Sequence, residues 1–295
     1  MGLALQLSNL HHQLTALFWR FMSQPHPAYI PGLFTGSEYR VETRAWHDIL
    51  RENASSCTLT RLEFCKTKGE KLHEFLILYF SHPTHTIAHA VVVVDRAVKD
   101  RSQSSVIVSP CIPSQKAVEA LDRVHVMGQG DKLETYLSRT YDQYDKLCVL
   151  KYTSAESSPT PQPPSAIQLS TLLLVVTNHQ PNYNLYEYNC YWYANTIFEA
   201  CKSLFPGYQE DCNKHGDRGR CRLNVPMCTM HNLPDICGEY HAEWKKVVQR
   251  WRINQETITQ QVRNLYDGSR LGTHMLLHHR NWNEDLRRNE ELMKQ

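Results

Sequence analysis

The sequence predicts an α+β protein: an antiparallel sheet packed on a helix that begins at Cys190, with helical additions at both ends. Three observations carry this. Arg61 to Cys65, Leu72 to Phe80 and Thr86 to Asp95 are rich in β-branched, aromatic and other apolar residues, and turn-forming residues separate them. Leu169, Leu172, Leu173 and Val176, then Cys190, Ala194, Ile197, Phe198 and Cys201, recur at helical spacing late in the chain. Trp244, Val247, Val248, Trp251, Ile258, Val262 and Leu265 outline a long amphipathic helix from about Glu239 to Asn264.

Taken in order, Leu10, Leu14, Leu17, Phe18 and Phe21 follow Ser8-Asn9 as an opening amphipathic helix, which the proline-rich stretch from Pro25 to Pro31 ends. Trp46, Ile49 and Leu50 mark a second helix. Lys68-Gly69 and Ser81-His82-Pro83 supply turns between the three β-rich segments, which therefore read as an antiparallel meander. Short strands are expected at Ser105 to Val108 and Cys148 to Tyr152, around a helical stretch near Leu133 to Tyr144. Ser157 to Pro164 is a surface loop by composition. The expected organisation is a helical extension over 1–55, a core over 56–205, a Cys/His-containing loop over 206–238 and a helical region over 239–295. After Leu271 the chain mixes histidines, arginines and acids and reads as a frayed or solvated end.

Composition limits the function classes. Lysine and arginine number 32 against 30 acids, a formal charge of +2, so nothing global favours nucleic acid or an anionic membrane as the main partner. No apolar run is long enough to span a bilayer, and neither end carries a recognisable lipidation signal. The first twenty-two residues lack the basic and apolar regions of a secretion signal, so the ten cysteines point to a reducing compartment, the cytoplasm, rather than to a disulfide framework.

The chemistry-bearing feature is Asn189-Cys190-Tyr191-Trp192-Tyr193-Ala194. Asn189 is a preferred N-cap type, which sets Cys190 in the first helical turn, where unpaired N–H groups and the positive end of the dipole favour an anion. A thiolate is the reactive form of cysteine, and a free thiol with pKa ~8.5 needs such help near neutrality. The apolar positions that follow lie on the same face as Cys190, which also suits a small buried hydrophobe. His73, leading the apolar strand His73-Glu74-Phe75-Leu76-Ile77-Leu78-Tyr79-Phe80, is poorly explained by packing and supplies a histidine base for the thiol.

A short strand, a His-led strand, a turn, another strand and, much later, an Asn-Cys-aromatic helix start resemble the circularly permuted papain-like fold of the lecithin retinol acyltransferase-like proteins, PPPDE-type peptidases and relatives of the bacterial cell-wall endopeptidases. Asn189-Cys190 and the aromatic Tyr193 match the acyltransferase-like Asn-Cys-Glu-His-Phe motif, whereas Tyr191-Trp192 replaces its Glu-His. The resemblance covers residues 61–204. It implies Cys190 as nucleophile, His73 as base and a third polar residue on the next strand, for which His89 is the candidate and His85 the alternative. The implied activity is hydrolysis or acyl transfer at an amide, peptide or ester bond through a Cys190 thioester, on a peptide, protein or acyl-lipid substrate and without a cofactor. The Cys190 backbone N–H would receive the oxyanion, and Tyr183, Tyr186 or Tyr188 could add a phenolic donor or shape the substrate groove. A catalytically inactive binding module of the same fold is the alternative.

Cys212, Cys221, Cys228 and Cys237, with His215 and His231, form a second cluster. Tetrahedral zinc sites favour close Cys-x2-Cys pairs, and these cysteines stand nine, seven and nine positions apart, so no metal is expected, although Cys212-x2-His215 and Cys228-x2-His231 leave a zinc-stabilised interaction protein as a rival. Lys214, Arg218, Arg220 and Arg222 make this stretch basic, and it reads as a solvated loop.

Overall fold

The computed structural model describes residues 29–53, 56–68, 72–85, 88–99, 118–130, 132–152, 161–184, 187–221, 225–227 and 232–265. Over these residues the chain forms an eight-stranded antiparallel sheet with five helices packed on it. The strands are β1 (Tyr39–Glu42), β2 (Thr58–Thr67), β3 (Glu74–Ser81), β4 (His89–Val98), β5 (Val118–Val126), β6 (Tyr144–Tyr152), β7 (Asn182–Tyr183) and β8 (Tyr208–Cys212). Their order is β1-β5-β4-β3-β2-β6-β8, with β7 pairing on β5. The helices are α1 (Thr43–Asn53), α2 (Leu133–Tyr141), α3 (Ala166–His179), α4 (Cys190–Leu204) and α5 (Leu233–Leu265).

The β2-β3-β4-β5 run is the meander that the turn residues predict, each strand antiparallel to the next. Alternation along the strands builds a core on each face. Phe64, Leu76, Leu78, Val92, Val94 and Val124 meet the helices α1, α3, α4 and α5, whereas Phe75, Ile77 and Val93 meet Tyr136, Leu137 and Tyr141 of α2. Leu33, Phe34, Trp46 and Leu50 belong to the first of these cores, and Trp46 Nε1 donates to the Gly32 carbonyl at 2.8 Å.

Helix α3 starts at a capping box: Ser165 Oγ accepts the Gln168 N–H, and Gln168 Oε1 accepts the Ser165 N–H at 2.8 Å. Helix α5 begins at Leu233, earlier than its periodicity predicts, and lays Ile236, Tyr240, Trp244, Val247 and Val248 into the core. Among the described residues, no helix is long and apolar enough to cross a membrane.

Strands β5 and β8 lack the expected alternation of apolar and polar residues. β5 buries Asp122 and His125, and β8 is an edge strand of mostly exposed polar residues. The strand expected at Ser105 to Val108, the opening helix and the stretch after Leu271 lie outside the described residues. Directly opposed residues of β6 and β8, Cys148 and Cys212, form a disulfide, correcting the reading of Cys212 as part of a downstream cluster.

Candidate active site

Three elements converge at one end of the sheet. Cys190 is the first residue of α4, and the side chain of Asn189 caps the helix by accepting the Trp192 N–H at 3.0 Å. The cap is fastened from outside, because Asn189 Nδ2 donates to the Met227 carbonyl at 3.0 Å. His73 stands just ahead of β3, its N–H donating to Thr67 Oγ1 at 2.8 Å while its carbonyl accepts the Thr67 N–H at 2.9 Å. The preceding residue, Leu72, has φ 42°, a left-handed conformation uncommon for a bulky side chain, so the chain enters β3 through a sharp local turn.

His73 interacts with both Cys190 and Asp95. Its Nε2 lies 3.1 Å from Asp95 Oδ2, and Arg123 holds both Asp95 oxygens, with Nε donating to Oδ1 at 2.8 Å and Nη2 to Oδ2. The Tyr141 ring stacks on the imidazole at 5.8 Å between centroids and 12° between planes. Burial opposes the imidazolium, but the charge of the Cys190 sulfur and the hydrogen bond to Asp95 outweigh it and lift the His73 pKa to about 10. Burial likewise opposes the Asp95 carboxylate, yet His73 and Arg123 hold it well below the usual range.

The sequence-predicted pair, Cys190 and His73, is thus brought together. His89 is not part of the cluster. Ser81 lies opposite His89, whereas Phe75 lies opposite Asp95, so His89 occupies the far end of the β3–β4 hairpin from His73. His85 lies in the turn at that same far end, its ring 4.8 Å from that of His82. The hairpin register therefore replaces the expected histidine with Asp95. The available signal was an acid ending the Val91–Val94 run, on the same strand as the candidate histidine.

Tyr183, on β7, lies against Cys190, near its backbone N–H and its sulfur; burial first, then the sulfur's charge, raises the phenol pKa. The segment leading to Cys190 is held by Arg96, which is fully buried. Its guanidinium donates to Asp122 Oδ1 and Oδ2 at 2.6 and 2.7 Å and to the Gln180 carbonyl at 2.8 Å. It also lies 5.0 Å over the Trp192 ring and 4.9 Å over Tyr193. The aromatic residues after Cys190 therefore pack under a buried cation.

Residues 213–221 form the outer wall. Lys66 Nζ donates to the carbonyls of Asp217 and Arg220 at 2.6 and 2.5 Å and lies 3.3 Å from Glu74 Oε1. The Gly219 N–H also donates to Glu74 Oε1, at 2.9 Å. Glu74 is fully buried, and burial pushes its carboxyl up to about 7 against the pull of Lys66 and Gly219. Arg218 binds Asn195 and Glu199 and covers the Phe64 and Phe198 rings. Residues 217–220 of this stretch, expected as a solvated loop, are bonded to β2, to Glu74 of β3 and to α4.

The cysteines of the second cluster lie on separate elements: Cys212 on β8, Cys221 in the wall and Cys237 on α5, while Cys228 and His231 fall outside the described residues. Among the described residues, Cys148, Glu210 and Cys212 bring ligand-type atoms together, and there the two sulfurs are bonded to each other. No family model, curated protein or solved structure matches this chain.

Proposed function

We propose that the chain is a thiol-dependent hydrolase or acyltransferase with a permuted papain-like core, acting on an amide, peptide or ester carbonyl. The observation that supports this is that His73 interacts with both Asp95 and Cys190, the first residue of a helix. The Cys190 sulfur, as thiolate beside the His73 imidazolium, attacks the carbonyl carbon. Negative charge develops on the carbonyl oxygen, and the Cys190 N–H and the Tyr183 hydroxyl would be its donors. His73 gives its proton to the departing amine or alcohol, and the C–N or C–O bond breaks to leave a Cys190 thioester. Water, or an acceptor hydroxyl or amine, then loses a proton to His73 as it attacks the thioester, and the thiolate leaves with the acyl group transferred.

Asp95 orients the imidazole and stabilises its charged form, and Arg123 fixes Asp95. The order of elements, His73 at the start of β3 and well ahead of the Cys-bearing helix, agrees with the permuted arrangement. Alkylation by iodoacetamide near neutral pH tests the pair: His73→Ala should slow the reaction of Cys190 by about 10²-fold. Slow alkylation that the substitution leaves unchanged overturns the proposal.

A further inference from the structure

Glu74 follows His73 directly and lies on the face of β3 that carries Leu76 and Leu78, the face on which α4 packs. It is fully buried at the head of the apolar run Phe75 to Leu78. A buried acid there is costlier than a leucine unless its bonds hold something in place. Oε1 makes those bonds, accepting the Gly219 N–H at 2.9 Å and pairing with Lys66 at 3.3 Å, whereas Oε2 is buried with no hydrogen-bond partner among the described residues. Lys66 in turn donates to the carbonyls of Asp217 and Arg220, on either side of Gly219.

From Gly219 the bonds continue to the thiol helix. Residues 219–221 and 225–227 lie antiparallel, with the Gly219 carbonyl accepting the Met227 N–H at 2.7 Å and the Cys221 N–H donating to the Val225 carbonyl at 3.0 Å. The Met227 carbonyl accepts from Asn189 Nδ2 at 3.0 Å. A carbonyl can pair only with the donor end of that amide, so the bond turns Asn189 Oδ1 towards the helix, where it accepts the Trp192 N–H at 3.0 Å. The run Glu74–Gly219–Met227–Asn189 therefore begins at the chain neighbour of His73 and ends at the chain neighbour of Cys190. Gly219, at its centre, has φ 65°, in the left-handed region that glycine enters without steric cost.

We infer that Glu74 is a positioning residue: through Gly219 and Met227 it holds the Asn189 cap, and so fixes the Cys190 sulfur in register with His73. This rests on the proposed thiol chemistry and adds to it the residues that align the pair. The two reacting side chains come from elements far apart in sequence, and reaction rates depend steeply on such alignment. The cap bond lies within the helix start and cannot by itself set where that start stands relative to β3; the bonds through Met227 and Gly219 do.

Iodoacetamide labelling of Cys190 near neutral pH, read by mass spectrometry, tests it. Glu74→Ala removes the acceptor for Gly219. Asn189→Ser keeps a neutral side chain that caps the helix but drops the amide donor to Met227. Each should slow labelling by about tenfold, and the two together by no more than that, since both cut one run of bonds. In a His73→Ala background neither should change the rate by more than about twofold, whereas a general loosening of the site would act with or without His73. Glu74→Gln, whose amide oxygen can still accept the Gly219 N–H, should recover most of the rate. Because the charge of the Cys190 sulfur helps to lift the His73 pKa, Asn189→Ser should also move the His73 imidazole titration, followed by NMR, to lower pH. Circular dichroism checks folding, and Asn189→Ser decides the question alone if Glu74→Ala does not fold. Variants that label as fast as the unaltered chain, slowing that is equal with and without His73, or a Glu74→Gln rate no better than that of Glu74→Ala overturns the inference. If labelling of the unaltered chain does not depend on His73, the thiol chemistry itself fails; if it does depend on His73 while the changes at Glu74 and Asn189 are immaterial, only the positioning role fails.

Discussion

Arg96 and Asp122 face each other across β4 and β5 with two hydrogen bonds of 2.6 and 2.7 Å, and neither side chain reaches solvent. The pair costs desolvation energy, which its geometry and the extra bond from Arg96 to the Gln180 carbonyl offset. Arg96→Leu leaves Asp122 buried without its counter-charge and should destabilise the fold by about 3–5 kcal/mol in chemical denaturation. Arg96→Leu/Asp122→Leu should recover most of that loss, yet still slow Cys190 alkylation, because the approach to the thiol loses its anchor.

Replacing Asp95 by Asn removes the charge of one of the two partners that lift the His73 pKa, the other being Cys190. A histidine raised to about 10 contributes stability that is fully present below its ordinary value of about 6.5 and is lost as pH rises through about 10. Asp95→Asn should therefore shrink the alkaline loss of stability in this window. It should also move the His73 imidazole titration, followed by NMR, to lower pH. An unchanged titration would disconnect Asp95 from His73.

Tyr183→Phe separates two reactions of the same sulfur. Acylation by an activated ester develops an oxyanion and should slow by about 10²-fold when a donor is lost. Displacement of iodide from iodoacetamide forms no oxyanion, so its rate should change far less. Equal slowing of both would make Tyr183 a packing residue.

The Cys148–Cys212 disulfide joins residues separated by 64 positions. Cys148→Ala/Cys212→Ala should lower stability by about 2–4 kcal/mol in a urea titration, since the cross-link restricts the unfolded chain. A loss below about 0.5 kcal/mol would mean that the β6–β8 pairing alone holds the edge.

Much of the fold could be read because local chemistry and tertiary role agree. Asn189 caps, Cys190 opens a helix, and the apolar runs of β3 and β4 form the sheet centre. Asp95 could not be chosen over His89 without the hairpin register, which turns on residues between the strands rather than within them. β5 was hidden because Asp122, Arg123 and His125 look solvent-facing until Arg96, Asp95 and Tyr136 are placed beside them. Trp192 likewise could not be placed from its neighbours, since it lies beneath Arg96, a residue distant in sequence.

The bond between Cys148 and Cys212 closes a covalent ring that contains Cys190 and leaves His73 and Asp95 on the tail outside it. A protease that cuts once between the two cysteines opens the ring without shedding either piece, and Cys190 stays tethered to His73. Such a nicked molecule would run as one chain on a non-reducing gel and as two on a reducing one.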